Sequence, residues 1–120
     1  DVQIYIIQAD AGTRTAGINA ASMALAHAGI PMKNLVSSVA VGKLDKTLVV
    51  DLTKEEEDFE EGEGATDCAI ARIANTDELT LLQFDGKVQP EVVSELINLS
   101  DDACKEIYEA QKKALKEVLK

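Results

Sequence analysis

The sequence predicts an α+β domain in which helices pack on one face of a mixed β-sheet, in the order β-α-β-β-β-β-α. Three observations carry this reading. An alternating apolar run, Val2-Gln3-Ile4-Tyr5-Ile6-Ile7, leads through a glycine turn into an Ala-rich stretch. Pairs of short apolar runs separated by turn residues follow it. A long stretch with apolar residues at helical spacing closes the chain.

In order, Val2–Gln8 reads as a first strand and Thr13–Ala28 as a first helix. The small residues Ala16, Gly17, Ala20, Ala21 and Ala24 suit a helix lying close on a sheet, and Gly29 with Pro31 stops it. Leu35–Val41 and Thr47–Leu52 form a strand pair around the turn Gly42–Lys46. The acidic run Glu55–Gly64 is too charged for core and reads as a mobile loop. Cys68–Ala74 and Leu79–Phe84 are two further strands, divided by Asn75-Thr76-Asp77-Glu78. Pro90 suits the first position of a final helix, whose apolar stripe includes Leu96, Cys104, Ile107 and Leu115. Asp101-Asp102 marks either a bend or its wet side. Lys112, Lys113, Lys116 and Lys120 fit the negative end of its dipole better than an RNA-binding tail.

With 120 residues the chain suits a single domain, and no fixed-period repeat is visible. Hydrophobic residues make up 46% but aromatics only 3%, so the core is aliphatic. The net charge of −10, from 22 acids and 12 bases, argues against a free-standing electrostatic nucleic-acid binder. It leaves room for a nucleic-acid enzyme whose basic groups lie on another segment or subunit. Cys68 and Cys104 have no metal-ligand spacing and make no disulfide framework, so a reduced, cytoplasmic setting is expected. The single His27 is expected to end the first helix. No apolar run is long enough to cross a bilayer, so no membrane partner is expected. Asp1 opens almost inside a strand, which points to a piece of a longer chain.

The stretch Ala9–Gly17 is where chemistry concentrates. A strand, a glycine turn and a helix start make an anion site, because the first helical turn offers free N–H groups and the positive end of the dipole. Gly12 lets the backbone approach, Thr13 caps or donates a hydroxyl, and Arg14 adds a fork of donors matched to phosphate. The competing reading is an ordinary capped strand-to-helix turn. Asp51 is the second feature, a charge at the tip of the apolar run Leu48-Val49-Val50. Glu55, Glu56, Glu57, Asp58 and Asp67 follow, and two or three of them are candidates to converge beside Asp51, either holding a hard divalent ion or supplying a general acid. An anion site beside carboxylates suits phosphoryl transfer.

The segment Gln8-Ala9-Asp10-Ala11-Gly12-Thr13-Arg14-Thr15-Ala16-Gly17 resembles the corresponding segment of the RNase PH family. Ile30-Pro31-Met32, Val41-Gly42-Lys43, Val50–Glu56, Leu79–Gly86 and the final helix extend the likeness. It is strongest to the catalytic RNase PH-like subunits of the archaeal exosome and covers nearly the whole chain as their C-terminal half, a single RNase PH-like domain over residues 1–120. The resemblance implies a phosphorolytic 3′-to-5′ exoribonuclease, with inorganic phosphate as co-substrate and RNA as substrate. It implies phosphate binding at Gly12, Thr13 and Arg14 and a first catalytic aspartate at Asp51. The family's second aspartate follows six residues later, a position held here by Glu57. Asp58 is the favoured second carboxylate, with Glu57 close behind, and Asp51 with Asp58 are the candidates for Mg2+. Implied partners are the N-terminal half of the same subunit, a non-catalytic RNase PH-like ring subunit in a hexameric ring, and RNA-binding cap subunits. The half alone is expected to be weak or inactive, and the alternative reading is a structural half-domain with an incomplete site.

Overall fold

A computed structural model describes residues 1–119. Its elements are α1 (Thr13–His27), β1 (Val36–Leu44), β2 (Thr47–Val50), α2 (Lys54–Glu57), β3 (Ala65–Ile73), β4 (Leu79–Asp85) and α3 (Pro90–Val118). The strands form one sheet in the order β2-β1-β3-β4, and every neighbouring pair is antiparallel. The α+β class is as expected, but the sheet is wholly antiparallel rather than mixed. The expected first strand explains the difference. Val2–Gln8 forms no strand, and its side chains are exposed, Ile7 by 99%. An extended apolar run becomes a strand only where another strand offers its hydrogen-bonding edge. No described strand pairs with this one, and Ile4 instead rests against Gly17 of α1.

β1 and β3 pair over nine residues and carry the core. The pleat sends Val39 and Val41 of β1, and Cys68 and Ile70 of β3, to the face covered by Leu96 and Cys104 of α3. Burial pushes the Cys68 thiol up to about 12 and the Cys104 thiol up to about 11, so both stay protonated and inert. The alternate residues Val36, Ala40, Ala69 and Ile73 line hollows shared with α1 and the turn before it. The helices therefore do not share one face: α3 covers one side, and α1 lies on the other. The small Ala40 and Ala69 leave room there for the turn that opens α1.

β2 covers only Val41–Leu44 of β1, so the rest of that edge needs other partners. Side chains supply them. Asn19 of α1 donates through Nδ2 to the Ser38 carbonyl and accepts the Ser38 N–H, both at 2.8 Å. Ser22 accepts the Val36 N–H at 2.8 Å, and Gln111 of α3 donates to the Val36 carbonyl at 3.1 Å. The last open carbonyl, Ala40, accepts the Asp51 N–H at 2.7 Å. The Val36 and Ser38 backbone groups and the Ala40 carbonyl, which a longer β2 would satisfy, are thus satisfied by helix side chains or by the strand exit, and both helices are pinned in place.

The acidic run is not simply a loop. Thr53 and Glu56 close a capping box, with the Glu56 N–H on Thr53 Oγ1 and the Thr53 N–H on Glu56 Oε2 at 2.8 Å, and this starts the one-turn α2. Three glutamates in its first turn complement the positive helix start. Asp101-Asp102 causes no break in α3, which runs continuously from Pro90 to Val118. Instead, Asp101 Oδ1 accepts from Arg72 at 2.8 Å, while Arg72 keeps only 8% of its side chain exposed. Lys105 first and Arg72 after it hold the Asp101 carboxyl below its ordinary range. That contribution to stability is present above the unfolded aspartate pKa and is lost as pH falls through the lowered folded value. Asp101→Ala strands the Arg72 charge under α3 and is expected to cost about 2 kcal/mol in urea unfolding, since one partner of the pair is still partly solvated. Among the described residues, no helix is long and apolar enough to cross a membrane.

Candidate functional site

The turn that opens α1 is built from two consecutive left-handed residues, Ala11 (φ 61°) and Gly12 (φ 57°). The second is natural for glycine, whereas the first is strained. Gly12, not Thr13, is the N-cap, and no side chain caps the helix. Thr13 is the first helical residue and lines the cleft at the turn. Thr15 is turned inward, donating to the Gly12 carbonyl at 2.8 Å. The start of α1 therefore keeps unsatisfied N–H groups, as an anion site requires.

Two clefts meet at this turn. The inner one, about 190 Å³, is lined by Ala11–Thr15, Ala40, Ala69, Glu57 and Asp67. The outer one, about 500 Å³, is lined by Arg14, Lys54, Glu57, Asp58, Asp67 and Asp85 among others. Arg14, Glu57 and Asp67 line both. Asp51 stands on a third side: its Oδ1 lies 3.7 Å from where a Cβ on Gly12 would sit. The strand exit aims it there, because Asp51 leaves the sheet in a left-handed conformation (φ 60°) just beyond β2. Asp10 ties turn and acidic helix together, accepting the Lys54 N–H at 2.9 Å.

The expected residues therefore gather unequally. Gly12, Thr13, Arg14 and Asp51 come together. Of the two candidates for the second carboxylate, Glu57 shares the inner cleft with the turn. Asp58 lines only the outer cleft, and its Oδ1 is engaged by Lys54 at 2.8 Å. Glu55 and Glu56 line neither cleft, Glu56 being spent on the capping box. Among the described residues, no group of three or more His, Cys, Asp or Glu side chains comes together to hold a metal ion.

Asp67 is the residue that the sequence reading named without choosing. It lies inside β3, paired with Gly42 on one side and Asp85 on the other. Its Oδ1 is buried with no hydrogen-bond partner. Partial burial first, and then the Glu57 charge, push its carboxyl above the ordinary range, while Arg14 opposes them. The signal was the strand parity: Asp67 shares its face with Ala69, the small residue under the turn. A carboxyl raised in the folded state binds its proton more tightly there than in the unfolded chain. Stability is then greatest while Asp67 is protonated, and it falls as pH rises from the unfolded value through the raised folded one. Asp67→Asn is expected to remove that part of the fall, read as a higher urea midpoint at neutral pH with little change at pH 3.

The turn, the strand exit and the carboxylates are set on a fold that known proteins share. Residues 34–103 match the model of the 3′ exoribonuclease family, domain 2. The chain belongs to this family. It is 48% identical over 98% of its length to an exosome complex component Rrp41 of Thermococcus kodakarensis, covering 45% of that protein. It is 45% identical over 96% of its length to the Rrp41 component of Nitrosopumilus maritimus, covering 46%. The chain thus spans about half the length of the curated relatives it matches. The crystal structure of rice Rrp46 superposes on 92% of the chain with a TM-score of 0.80 at 23% identity, over 51% of that protein, which shows the shared fold. Asp51, Glu57, Asp58 and Asp67 of this family member fall within the matched domain.

Proposed function

We propose that this family domain is the phosphate-holding half of a phosphorolytic 3′-to-5′ exoribonuclease that works within an exosome ring. The observation that carries the reading is the convergence of an uncapped helix start, a guanidinium and carboxylates: Gly12, Thr13 and Arg14 with Asp51, Glu57 and Asp67 around them. Inorganic phosphate sits on the α1 N–H groups and Arg14. One of its oxygens attacks the phosphorus of the last phosphodiester of RNA. A new P–O–P bond forms, the bond to the 3′-oxygen of the preceding nucleotide breaks, and that oxygen takes a proton. The products are a nucleoside diphosphate and an RNA one nucleotide shorter. Asp51 faces the turn and serves the proton transfer, with Glu57 rather than Asp58 as the second carboxylate. Catalysis otherwise rests on positioning and charge stabilisation.

If Mg2+ takes part, Asp51 and Asp58 would hold it, and it would supply positive charge that offsets these carboxylates and the phosphate. The relatives are exosome components of about twice this length, and the net charge of −10 leaves basic RNA contacts to be supplied from outside this chain. The proposal places the basic RNA contacts on the N-terminal half, on a non-catalytic ring partner and on cap subunits, in the cytoplasm. RNA decay, followed with and without inorganic phosphate after the N-terminal half and ring partner are supplied, tests it. Nucleoside diphosphates that appear only with phosphate support the reading. Monophosphates released without phosphate contradict it. A second reading, a structural half-domain, rests on the span of about half the relatives' length, and inactivity in every reconstitution would favour it.

A further inference from the structure

The phosphate turn and the Glu57 carboxylate come from parts of the chain that must be held in register, the opening of α1 and the one-turn α2. α2 forms by itself, since its capping box closes between Thr53 and Glu56. Its direction is another matter. It buries none of its four residues, so packing does not aim it. Leu52, 1% exposed, anchors the chain just before it and leaves its direction open. Lys54 Nζ reaches only Glu57 and Asp58, within the same segment. Among the described residues, one hydrogen bond joins α2 to anything beyond residues 53–59: the Lys54 N–H donates to Asp10 Oδ1 at 2.9 Å. That N–H is the first of the helix and has no partner inside it. Asp10 stands directly before Ala11 and Gly12, the two left-handed residues of the turn. The bond therefore spans 44 positions of sequence and ties the turn to the helix that carries Glu57.

Resting on the phosphate site proposed above, we infer that Asp10 is a positioning residue of that site: through the Lys54 N–H it holds α2 against the turn and so sets Glu57 at the inner cleft. Asp10 lines neither cleft itself. The turn does not need this bond, because the Thr15 hydroxyl and the Ala16 N–H both hold the Gly12 carbonyl. α2 does not need it either. What needs it is the distance between them, and a reacting group displaced by about 1 Å costs up to about 10²-fold in rate. The requirement is for an acceptor oxygen rather than a charge, so a side-chain amide in the same place serves as well.

The test is steady-state phosphate-dependent RNA decay by the reconstituted assembly carrying Asp10→Ala, Asp10→Asn, Glu57→Gln, or Asp10→Ala together with Glu57→Gln, with the urea midpoint of each. Asp10 is exposed, so neither of its variants is expected to lower that midpoint. Asp10→Ala is expected to lower kcat about tenfold with the KM for phosphate within about twofold of the parent, and Asp10→Asn to restore kcat to within about twofold. In the Glu57→Gln background Asp10→Ala is expected to cost less than about twofold, because the group it positions is gone. An Asn variant as slow as the Ala variant overturns the inference, since charge then matters and not the bond. A raised phosphate KM with kcat kept overturns it by assigning Asp10 to the turn alone. An additive loss in the double variant, or a loss of kcat that follows a fallen urea midpoint, overturns it too. All of these leave the phosphate site standing. A parent assembly without phosphate-dependent decay overturns the proposed function and this inference with it.

Discussion

Asp51→Asn is expected to lower phosphate-dependent RNA decay by about 10²–10⁴-fold in the reconstituted assembly, with the fold intact. The substitution is clean for a backbone reason. Asp51 sits at φ 60°, and asparagine is among the few side-chain-bearing residues that tolerate this region. Its N–H bond to the Ala40 carbonyl is made by the main chain and survives the change. The carboxylate lies on the surface, so its loss leaves no buried hole. What disappears is one charged, proton-accepting group beside Gly12. The urea midpoint is expected to stay put while the rate of diphosphate release collapses. An equal loss of both would make Asp51 a structural residue.

The second large effect is Gly42→Ala, expected to cost about 3 kcal/mol or more and to lower Tm by roughly 10–15 °C. Gly42 is placed between β2 and β3, opposite Val49 and Asp67. A Cβ there would stand 2.3 Å from the Thr66 carbonyl oxygen and 2.9 Å from the buried Leu52 side chain. The first obstacle is backbone in the middle of the sheet, and the second is a fully packed residue next to Asp51. Neither can yield without disturbing the strand that carries Asp67. Gly29→Ala is the matching control: it has a left-handed backbone (φ 75°) but nothing within 4 Å, so its cost is the conformational one of about 1 kcal/mol. Thermal unfolding of the two variants side by side separates steric conflict from backbone strain.

Much of this domain is legible in its sequence because local signals and tertiary packing agree. The buried stripe of α3 falls at Leu96, Ser100, Cys104 and Gln111, as helical spacing dictates. Gly29 ends α1 left-handed, and Pro90 starts α3 at its first turn. Val2–Gln8 was misread because alternation reports a wish for a neighbouring strand, not the presence of one. The placement of α1 and α3 on opposite faces was hidden for a related reason. β2 stops at Val50, and the β1 edge it leaves is completed by Asn19 and Ser22 of α1 together with Gln111 of α3, contacts between residues far apart in the chain. At the site, Gly12, Thr13, Arg14 and Asp51 stand out through turn chemistry and a charge at a strand tip. That Glu57 reaches the inner cleft at the turn while Asp58 does not needs the three-dimensional path of α2, which Glu57 ends and Asp58 caps. Asp67 looked like one acid among many until the strand parity aimed it at the turn.

The central claim is that the start of α1 holds inorganic phosphate against Asp51 and Asp67. Titrating phosphate into the isotopically labelled chain while following its backbone amides tests this most directly. The account predicts saturable shifts concentrated at Thr13, Arg14, Thr15 and Asp51, and their loss in Arg14→Ala. Shifts centred instead on Lys112, Lys113 and Lys116 of α3, or none at concentrations that saturate a small-anion site, would contradict it.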